Sequence, residues 1–287
     1  FSCGVSRFIA GLGKKVIIAN TAANVAESIM GTDYARLPVL GAWFGIILFA
    51  IQIYFDFSGY SDMALGLGKM FGFTYKENFN YPYVSRSVTE FWRRWHISLG
   101  SFFRDYLYIP LGGNRSHMIR NLFIVWLLTG LWHGAGWNFV IWGLYYFILL
   151  FIEKMFLNRL FSRIPAVFSR IYLWIAVLVG WVFFCHTDLS RALQFLGIMF
   201  GTGRAPLSSP EVGIYFRNNV VFLILALIGC TPAVKQLWQR IRARVKEGRV
   251  LRILDNIAKP AFILCVLVLS IVFLAGQSYN PFLYFKF

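Results

Sequence analysis

Acidic residues are scarce in this chain of 287 residues, in which Asp and Glu number 12 against 28 Lys and Arg. Charged residues of both signs make up 14% of the sequence, whereas a soluble domain is about a quarter charged. The four cysteines show neither a CxxC pair nor a metal-ligand spacing, so they do not predict a disulfide framework or a metal site. Nucleotide-binding and hydrolase motifs (Walker, GxGxxG, GxSxG, HExxH) are absent too, which argues against ATP-driven transport, nucleotide redox chemistry and serine or zinc hydrolysis.

Apolar residues dominate what is present, at 58% of the chain. A helical span needs about 20 apolar residues. Uncharged runs occupy Leu37 to Phe55, Asn121 to Ile152, Ile171 to Thr187, Asn218 to Val234 and Pro260 to Phe285. The fold class predicted is therefore all-α, a polytopic membrane protein.

Positive charge is concentrated between these runs. The basic residues behind the net charge of +16 lie in segments between apolar runs, as the positive-inside bias of membrane proteins requires. We therefore expect membrane lipids rather than nucleic acid as partners. Because there is neither an internal repeat nor a low-complexity linker, we expect one domain over residues 1–287. The chain starts at Phe1 without a signal-peptide pattern, and we interpret it as the C-terminal portion of a longer chain, with N-terminal helices missing.

One histidine, His133, lies in the middle of the longest uncharged run, among Gly130, Gly134 and Gly136. If Arg120 and Lys154 are both cytoplasmic, the run enters and leaves by one face as a re-entrant hairpin. His133 then lies about 20 Å of helix from Arg120, near mid-membrane, at a break that must line a cavity or tunnel. The alternative is two full spans joined outside near His133. An intramembrane histidine predicts a functional site, against the simpler possibility of a ring bonded to a carbonyl at a helix break.

A second histidine, His96, lies in the segment from Ser87 to Leu107. Ser87 and Glu90 have the spacing of a capping box, and the aromatic residues that follow line one face of a helix. We therefore expect one amphipathic helix, with His96 at the border between its faces. A structural and a catalytic role are both open for this ring.

Polar residues also crowd the segment after Leu37 to Phe55. Asp56, Ser58, Ser61 and Asp62 follow the apolar run directly. We expect Asp56 or Ser58 to cap a helix N-terminus at the membrane interface, since a lone carboxylate is costly in lipid.

Three long motifs resemble one family. They are YFDFSGYSDMALGLGKMFGF, NFNYPYVSRSVTEFWRRWHISLGSFFRDYLYIPLGGNR and LTGLWHGAGWNFVIWGLYYF, in this order. Together they look like the membrane-bound O-acyltransferases (MBOAT family), in the branch that O-acetylates alginate and other cell-surface polymers. The match is strong from Phe55 to Phe147. In the flanking spans on either side it rests on hydropathy alone. The resemblance implies a helical bundle with re-entrant or broken helices around a central tunnel.

The resemblance also implies roles for residues. His133 would be the catalytic histidine, acting as a general base, and His96 a second catalytic residue that orients the acceptor or stabilises the oxyanion. No cofactor is expected to be bound; the acyl donor would be acetyl-CoA or another thioester. The acceptor would be a cell-surface polysaccharide such as alginate. An exported, periplasmic or extracellular acetyltransferase would be the partner that helps to reach it. The location would be the inner membrane of a bacterium.

Five further side chains are candidates for substrate binding. Arg93, Arg94 and Arg104 suit donor phosphates, although they equally suit anionic headgroups. Trp132 and Asn138 are candidates for chamber walls, as is Trp137 in addition to these five, and packing is the alternative for both tryptophans.

Other functions stay open on the sequence alone. D-alanyl transfer to teichoic acid would use the same fold. A transporter would use the broken helix at His133 as its path, although no second WHGAG pattern marks a repeat. A non-catalytic scaffold for a secreted partner would need neither histidine.

Overall fold

The structure of the protein, a computed structural model, describes residues 1–202, 205–244 and 253–276. All regular elements in these ranges are helical, as the composition predicts. The chain folds into two compact units, one from the described parts of Phe1–Val25, Ile51–Glu77 and Arg217–Lys286, the other from Ala26–Ala50 and Asn78–Phe216. The expectation of one domain over residues 1–287 stays a prediction.

Thirteen α-helices occur in these ranges. In chain order they are α1 (Ser2–Gly13), α2 (Asn20–Met30), α3 (Val39–Met70), α4 (Val88–Arg94), α5 (Ile97–Phe103), α6 (Met118–His133), α7 (Trp137–Ile152), α8 (Asn158–Phe161), α9 (Ala166–Cys185), α10 (Leu189–Met199), α11 (Pro210–Gly229), α12 (Ala233–Arg244) and α13 (Lys259–Ala275). Single π-helical segments follow α1, α5 and α7 and precede α13, at Lys14–Ala19, Arg104–Tyr108, Glu153–Leu157 and Leu254–Ala258.

Five helical stretches are long and apolar enough to cross a membrane. They are Val39–Met70, Trp137–Phe161, Ala166–Cys185, Pro210–Gly229 and Asp255–Ala275. Each overlaps one of the five uncharged runs, so the prediction of a polytopic membrane protein is confirmed. The end of the last run, from residue 277 on, lies outside the described residues.

Helix α1 packs against the second half of α3 through glycines. A Cβ on Gly11 would come within 2.6 Å of the Gly59 carbonyl oxygen, so the two backbones touch there. This close approach brings the basic residues after α1 beside the acidic residues of α3. Lys15 Nζ lies 2.6 Å from Asp56 Oδ1, and both side chains are buried.

The predicted helix cap at Asp56 or Ser58 is therefore wrong. Both residues lie in the interior of α3, which runs without a break from Val39 to Met70. Asp56 is tolerated there because Lys15 neutralises it, a long-range partner that spacing along the chain does not indicate.

Helices α6 and α7 form an antiparallel hairpin around the glycine-rich break. Glycines let the two backbones approach closely: a Cβ on Gly130 would lie 2.5 Å from the Phe139 carbonyl oxygen, and one on Gly143 would lie 2.4 Å from that of Trp126. The glycine-rich break predicted at Gly130, Gly134 and Gly136 is confirmed at the last two glycines, since α6 ends at His133 and α7 begins at Trp137, whereas Gly130 lies inside α6.

The lengths of the two arms differ. At about 1.5 Å per residue, the 16 residues of α6 cover roughly 24 Å, less than a hydrocarbon core of about 30 Å. The 25 residues of Trp137–Phe161 cover roughly 37 Å. The re-entrant path and the mid-membrane depth of His133 stay predictions.

The single amphipathic helix expected from Ser87 to Leu107 is also wrong. The capping box holds in part, because Ser87 Oγ accepts from the Glu90 N–H at 3.0 Å. The helix nevertheless stops at Arg94, and His96 adopts φ +47°, in the left-handed region that most L-residues avoid. A separate helix, α5, then begins at Ile97. Periodicity cannot report such a break, because the aromatic spacing continues through it.

Candidate active site

His133 ends α6 inside a cage of aromatic rings. Its ring centroid lies 4.9 Å from that of Trp132, 5.0 Å from Trp142 and 5.2 Å from Phe184. Within residues 1–202, 205–244 and 253–276, we find no hydrogen bond to either of its ring nitrogens. The simpler interpretation, a histidine bonded to a carbonyl at the helix break, is thus not what the structure shows. Both nitrogens remain available to a ligand.

His96 is held by the irregular segment before α4 that carries Asn78 and Asn80. The Asn80 N–H donates to the Arg94 carbonyl at 3.0 Å, and the Ile97 N–H donates to the Asn78 carbonyl at 3.0 Å. These bonds satisfy the backbone groups that the break in the helix would otherwise leave unpaired. The left-handed backbone of His96 is therefore imposed by its partners across this segment.

The side chain of Asn78 reaches the same break. Asn78 Oδ1 accepts from the Ser98 N–H at 3.0 Å and from the Ser98 hydroxyl at 2.8 Å. His96 Nδ1 faces the same oxygen at 3.4 Å. Because a backbone N–H can only donate, the atom is the amide oxygen, and His96 Nδ1 must carry the proton in this contact. Nε2 of His96 is then the ring's acceptor nitrogen.

The two predicted histidines share a neighbour, Trp132. The ring of Trp132 lies next to both, with centroids 6.0 Å from His96 and 4.9 Å from His133. Both rings are in the same compact unit, and each lies outside the five candidate spans.

Both imidazoles are neutral at pH 7. Burial lowers the pKa of His96 from its ordinary value near 6.5 to about 4. Burial lowers the pKa of His133 to about 3, with the nearby charge of a protonated His96 as the second cause. Neutral rings can accept a proton from a hydroxyl, although a lowered pKa makes each a weaker base. Positioning must therefore contribute most of any rate enhancement.

The three candidate arginines have different surroundings. Arg94 is paired with Glu90 at 2.7 Å and donates to the Asn80 carbonyl. Arg104 is paired with its neighbour Asp105 at 2.7 Å on the surface. Arg93 is exposed and lies close enough to Lys154 for the two positive charges to repel each other. Of the three, Arg93 is thus the side chain best placed to accept an anion.

The remaining candidates divide between surface and interior. Trp132 and Trp137 are exposed, so neither is packed in the protein core as expected for a purely structural tryptophan. Asn138 is buried, and its Nδ2 donates to the Phe183 carbonyl at 3.4 Å. Asn138 therefore links the start of α7 to α9.

Two residues near the histidines were not predicted. Asn78 opens the NFNYPY stretch, where a polar side chain among aromatics, four residues before Pro82, was an available signal. Phe184 gave no signal, because one phenylalanine in an apolar helix is indistinguishable from its neighbours.

This chain belongs to the membrane-bound O-acyltransferase family: the family model matches residues 1–191. The match includes both histidines, Asn78 and the whole region from α4 to α9. The class of protein that fold and site define is therefore the MBOAT class.

Among curated proteins, the chain is similar to proteins named as O-acetylating enzymes and as D-alanyltransferases. It is 42% identical over 304 aligned positions to the "Probable alginate O-acetylase AlgI" of Pseudomonas putida, covering 100% of this chain and 61% of the relative. It is 35% identical over 298 positions to the "Peptidoglycan O-acetyltransferase" of Helicobacter pylori, covering 99% of this chain and 56% of the relative. It is 30% identical over 161 positions to the "Teichoic acid D-alanyltransferase" of Bacillus subtilis, covering 51% of this chain and 40% of the relative. The chain thus spans less than two thirds of the length of these relatives.

Proposed function

We propose that this chain carries the active site of an O-acyltransferase that moves an acetyl group from a thioester donor to a hydroxyl of a cell-surface polysaccharide. The observation that carries the proposal is His133, a neutral imidazole caged by aromatic rings, with no hydrogen bond to its nitrogens from the residues described. In a chain of the MBOAT family, such a ring is the natural general base.

In the proposed reaction, His133 accepts one proton and later returns it. The acceptor hydroxyl gives its proton to a ring nitrogen of His133 as its oxygen attacks the acyl carbonyl. The tetrahedral intermediate collapses, the carbon–sulfur bond breaks, and the proton passes from the imidazolium to the leaving thiolate. Products are the ester and the free thiol, and the ring is neutral again.

His96 has a narrower role in this scheme. Two roles were expected, orienting the acceptor or stabilising the oxyanion. With its proton on Nδ1 toward Asn78, the Nε2 atom of His96 can accept a hydrogen bond and cannot donate one. This contact favours the first role, in which His96 accepts from a second hydroxyl of the acceptor sugar and so holds the reacting hydroxyl near His133.

The donor proposed is acetyl-CoA or another thioester that bears phosphate. Arg93 and Lys154 support this choice, since they bring two positive charges together with Arg93 unpaired in the described part of the chain. Guanidinium and ammonium groups both bind phosphate. Binding of anionic lipid headgroups is the alternative role of this pair.

The acceptor and the partner are proposed from the relatives. An alginate acetylase match across the whole chain, against a D-alanyltransferase match over half of it, favours acetyl over alanyl transfer. We further propose a bacterial inner membrane as the location and an exported acetyltransferase as the partner that completes transfer to the polymer.

Replacement of His133 tests the proposal directly. His133→Gln and His133→Ala are to be expressed within the whole protein and its partners, with exposed His117→Gln as the matched control. We expect normal membrane levels for all three and polymer acetylation only in the control. Ester content of the polymer is the measurement, and labelled acetyl and alanyl donors given to membranes identify the group transferred. Normal acetylation by His133→Ala would refute the proposal.

A further inference from the structure

Glu153 is a fully buried carboxylate at the end of α7. It accepts hydrogen bonds from the Val88 N–H at 2.5 Å, the Thr89 N–H at 2.8 Å and the Thr89 hydroxyl at 2.6 Å. The Tyr172 side chain on α9 also lies close to this carboxylate. None of the ion pairs found among the described residues includes Glu153. Its role is therefore to be sought in the bonds it accepts.

The bonds from Val88 and Thr89 complete the N-terminus of α4. A helix begins with free N–H groups that need acceptors from elsewhere. In α4, Ser87 accepts from the Glu90 N–H, and Glu153 accepts from the two N–H groups before it. The negative carboxylate also lies at the positive end of the helix dipole. Glu153 thus supplies the hydrogen-bond acceptors for the first N–H groups of α4 that the residues of α4 itself do not provide.

Helix α7 connects this anchor to the catalytic ring. At its first turns, Phe139 and Trp142 contact His133, with ring centroids at 6.1 and 5.0 Å. Glu153 lies eleven residues beyond Trp142, roughly 17 Å along the helix.

Helix α4 starts beside Glu153, at Val88, and runs back along α7. Its Trp92 ring lies 4.8 Å from that of Tyr146 and 5.4 Å from that of Trp142. The helix ends at Arg94, two residues before His96. A shift of α4 along α7 would therefore move His96 relative to His133.

We infer that Glu153 is a positioning residue, which sets the placement of His96 relative to His133 by fixing α4 to α7. This inference rests on the proposed function for its catalytic meaning. A carboxylate is needed because its two oxygens accept from backbone N–H groups as well as from the Thr89 hydroxyl; a glutamine would point an NH₂ group at a backbone N–H. An aspartate keeps the charge but is one methylene short.

The test compares Glu153→Gln and Glu153→Asp with Glu211→Gln, an exposed glutamate on α11, in the whole protein with its partners. For Glu153→Gln we expect normal membrane insertion and a maximal acetylation rate reduced about 10- to 100-fold, as for a misplacement of the order of 1 Å. The apparent KM for the donor should change as well, because Arg93, a proposed donor-binding residue, lies on α4 and moves with it. Glu153→Asp should recover part of the rate.

A second readout needs no activity. Carbethoxylation of His96 by diethylpyrocarbonate, measured by peptide mass spectrometry against exposed His117, should change in Glu153→Gln and stay unchanged in Glu211→Gln. If Glu153→Gln does not accumulate, Thr89→Val replaces it, with Thr89→Ser as the variant that restores the hydroxyl. A smaller change in the same direction, reversed by serine, supports the inference.

Wild-type rate and wild-type His96 labelling in Glu153→Gln, or in Thr89→Val where that variant is used, would overturn the inference. The proposed function fails separately, if His133→Ala acetylates the polymer. In that case the labelling of His96 still decides whether Glu153 positions it.

Discussion

The amide oxygen of Asn78 accepts hydrogen bonds from both the backbone N–H and the hydroxyl of Ser98. The residues are twenty positions apart, and the contact spans the break that carries His96. The Asn78 Oδ1 atom therefore stabilises the first turn of α5 and also orients the His96 ring.

Asn78→Ala is expected to reduce both stability and acetylation. Loss of a capping acceptor costs about 0.5–2 kcal/mol, and the His96 ring loses the partner that fixes its tautomer. Asn78→Asp keeps an acceptor oxygen and should retain most of the stability. The midpoint of thermal unfolding and the acetylation rate in membranes are the measurements. Asn80→Ala is the control, because Asn80 bonds to Arg94 through its backbone; equal losses in both variants would contradict this role of Asn78.

Two glycines in apolar helices should respond oppositely to alanine. At Gly143, the new Cβ would lie 2.4 Å from the Trp126 carbonyl oxygen, so Gly143→Ala must push α6 from α7, at a cost of about 1–3 kcal/mol. At Gly213 in α11, no atom lies within 4 Å of the added carbon, and alanine gains up to about 1 kcal/mol of helix propensity. Thermal unfolding in detergent compares the two. A stabilising Gly143→Ala would mean that the hairpin packs less tightly than described.

Acetylation should persist in mild acid. A histidine with an ordinary pKa of 6.5 is about 90% protonated near pH 5.5. Since burial lowers the pKa of His96 to about 4 and that of His133 to about 3, both rings stay neutral there and the base remains available. The rate should fall only as the pH drops through these lowered values.

The initial rate is measured at about pH 7 and 5.5, and again at pH 7 after exposure to acid, to separate titration from damage. A reversible tenfold loss near pH 5.5 would contradict the neutral pair.

Much of this fold was predictable, because a spanning helix leaves a long uncharged run. All five spans and the break at Gly134 follow from local composition, and the family motifs indicate both histidines. Three features were not predictable, and each depends on residues distant along the chain: Lys15 stabilises Asp56 inside α3, Asn78 and Asn80 impose the break at His96, and Glu153 completes α4. A pattern with period 3.6 reports which side of a helix is apolar, and it carries no information on these partners.

The left-handed backbone of His96 determines which substitutions there are informative. Most side chains resist this conformation by about 1–2 kcal/mol, whereas asparagine and glycine adopt it readily. Alanine would remove the imidazole and add conformational strain at once, so its two effects would be confounded. Asparagine deletes the imidazole while accepting the main-chain torsion, and it is the replacement that isolates what the ring itself contributes.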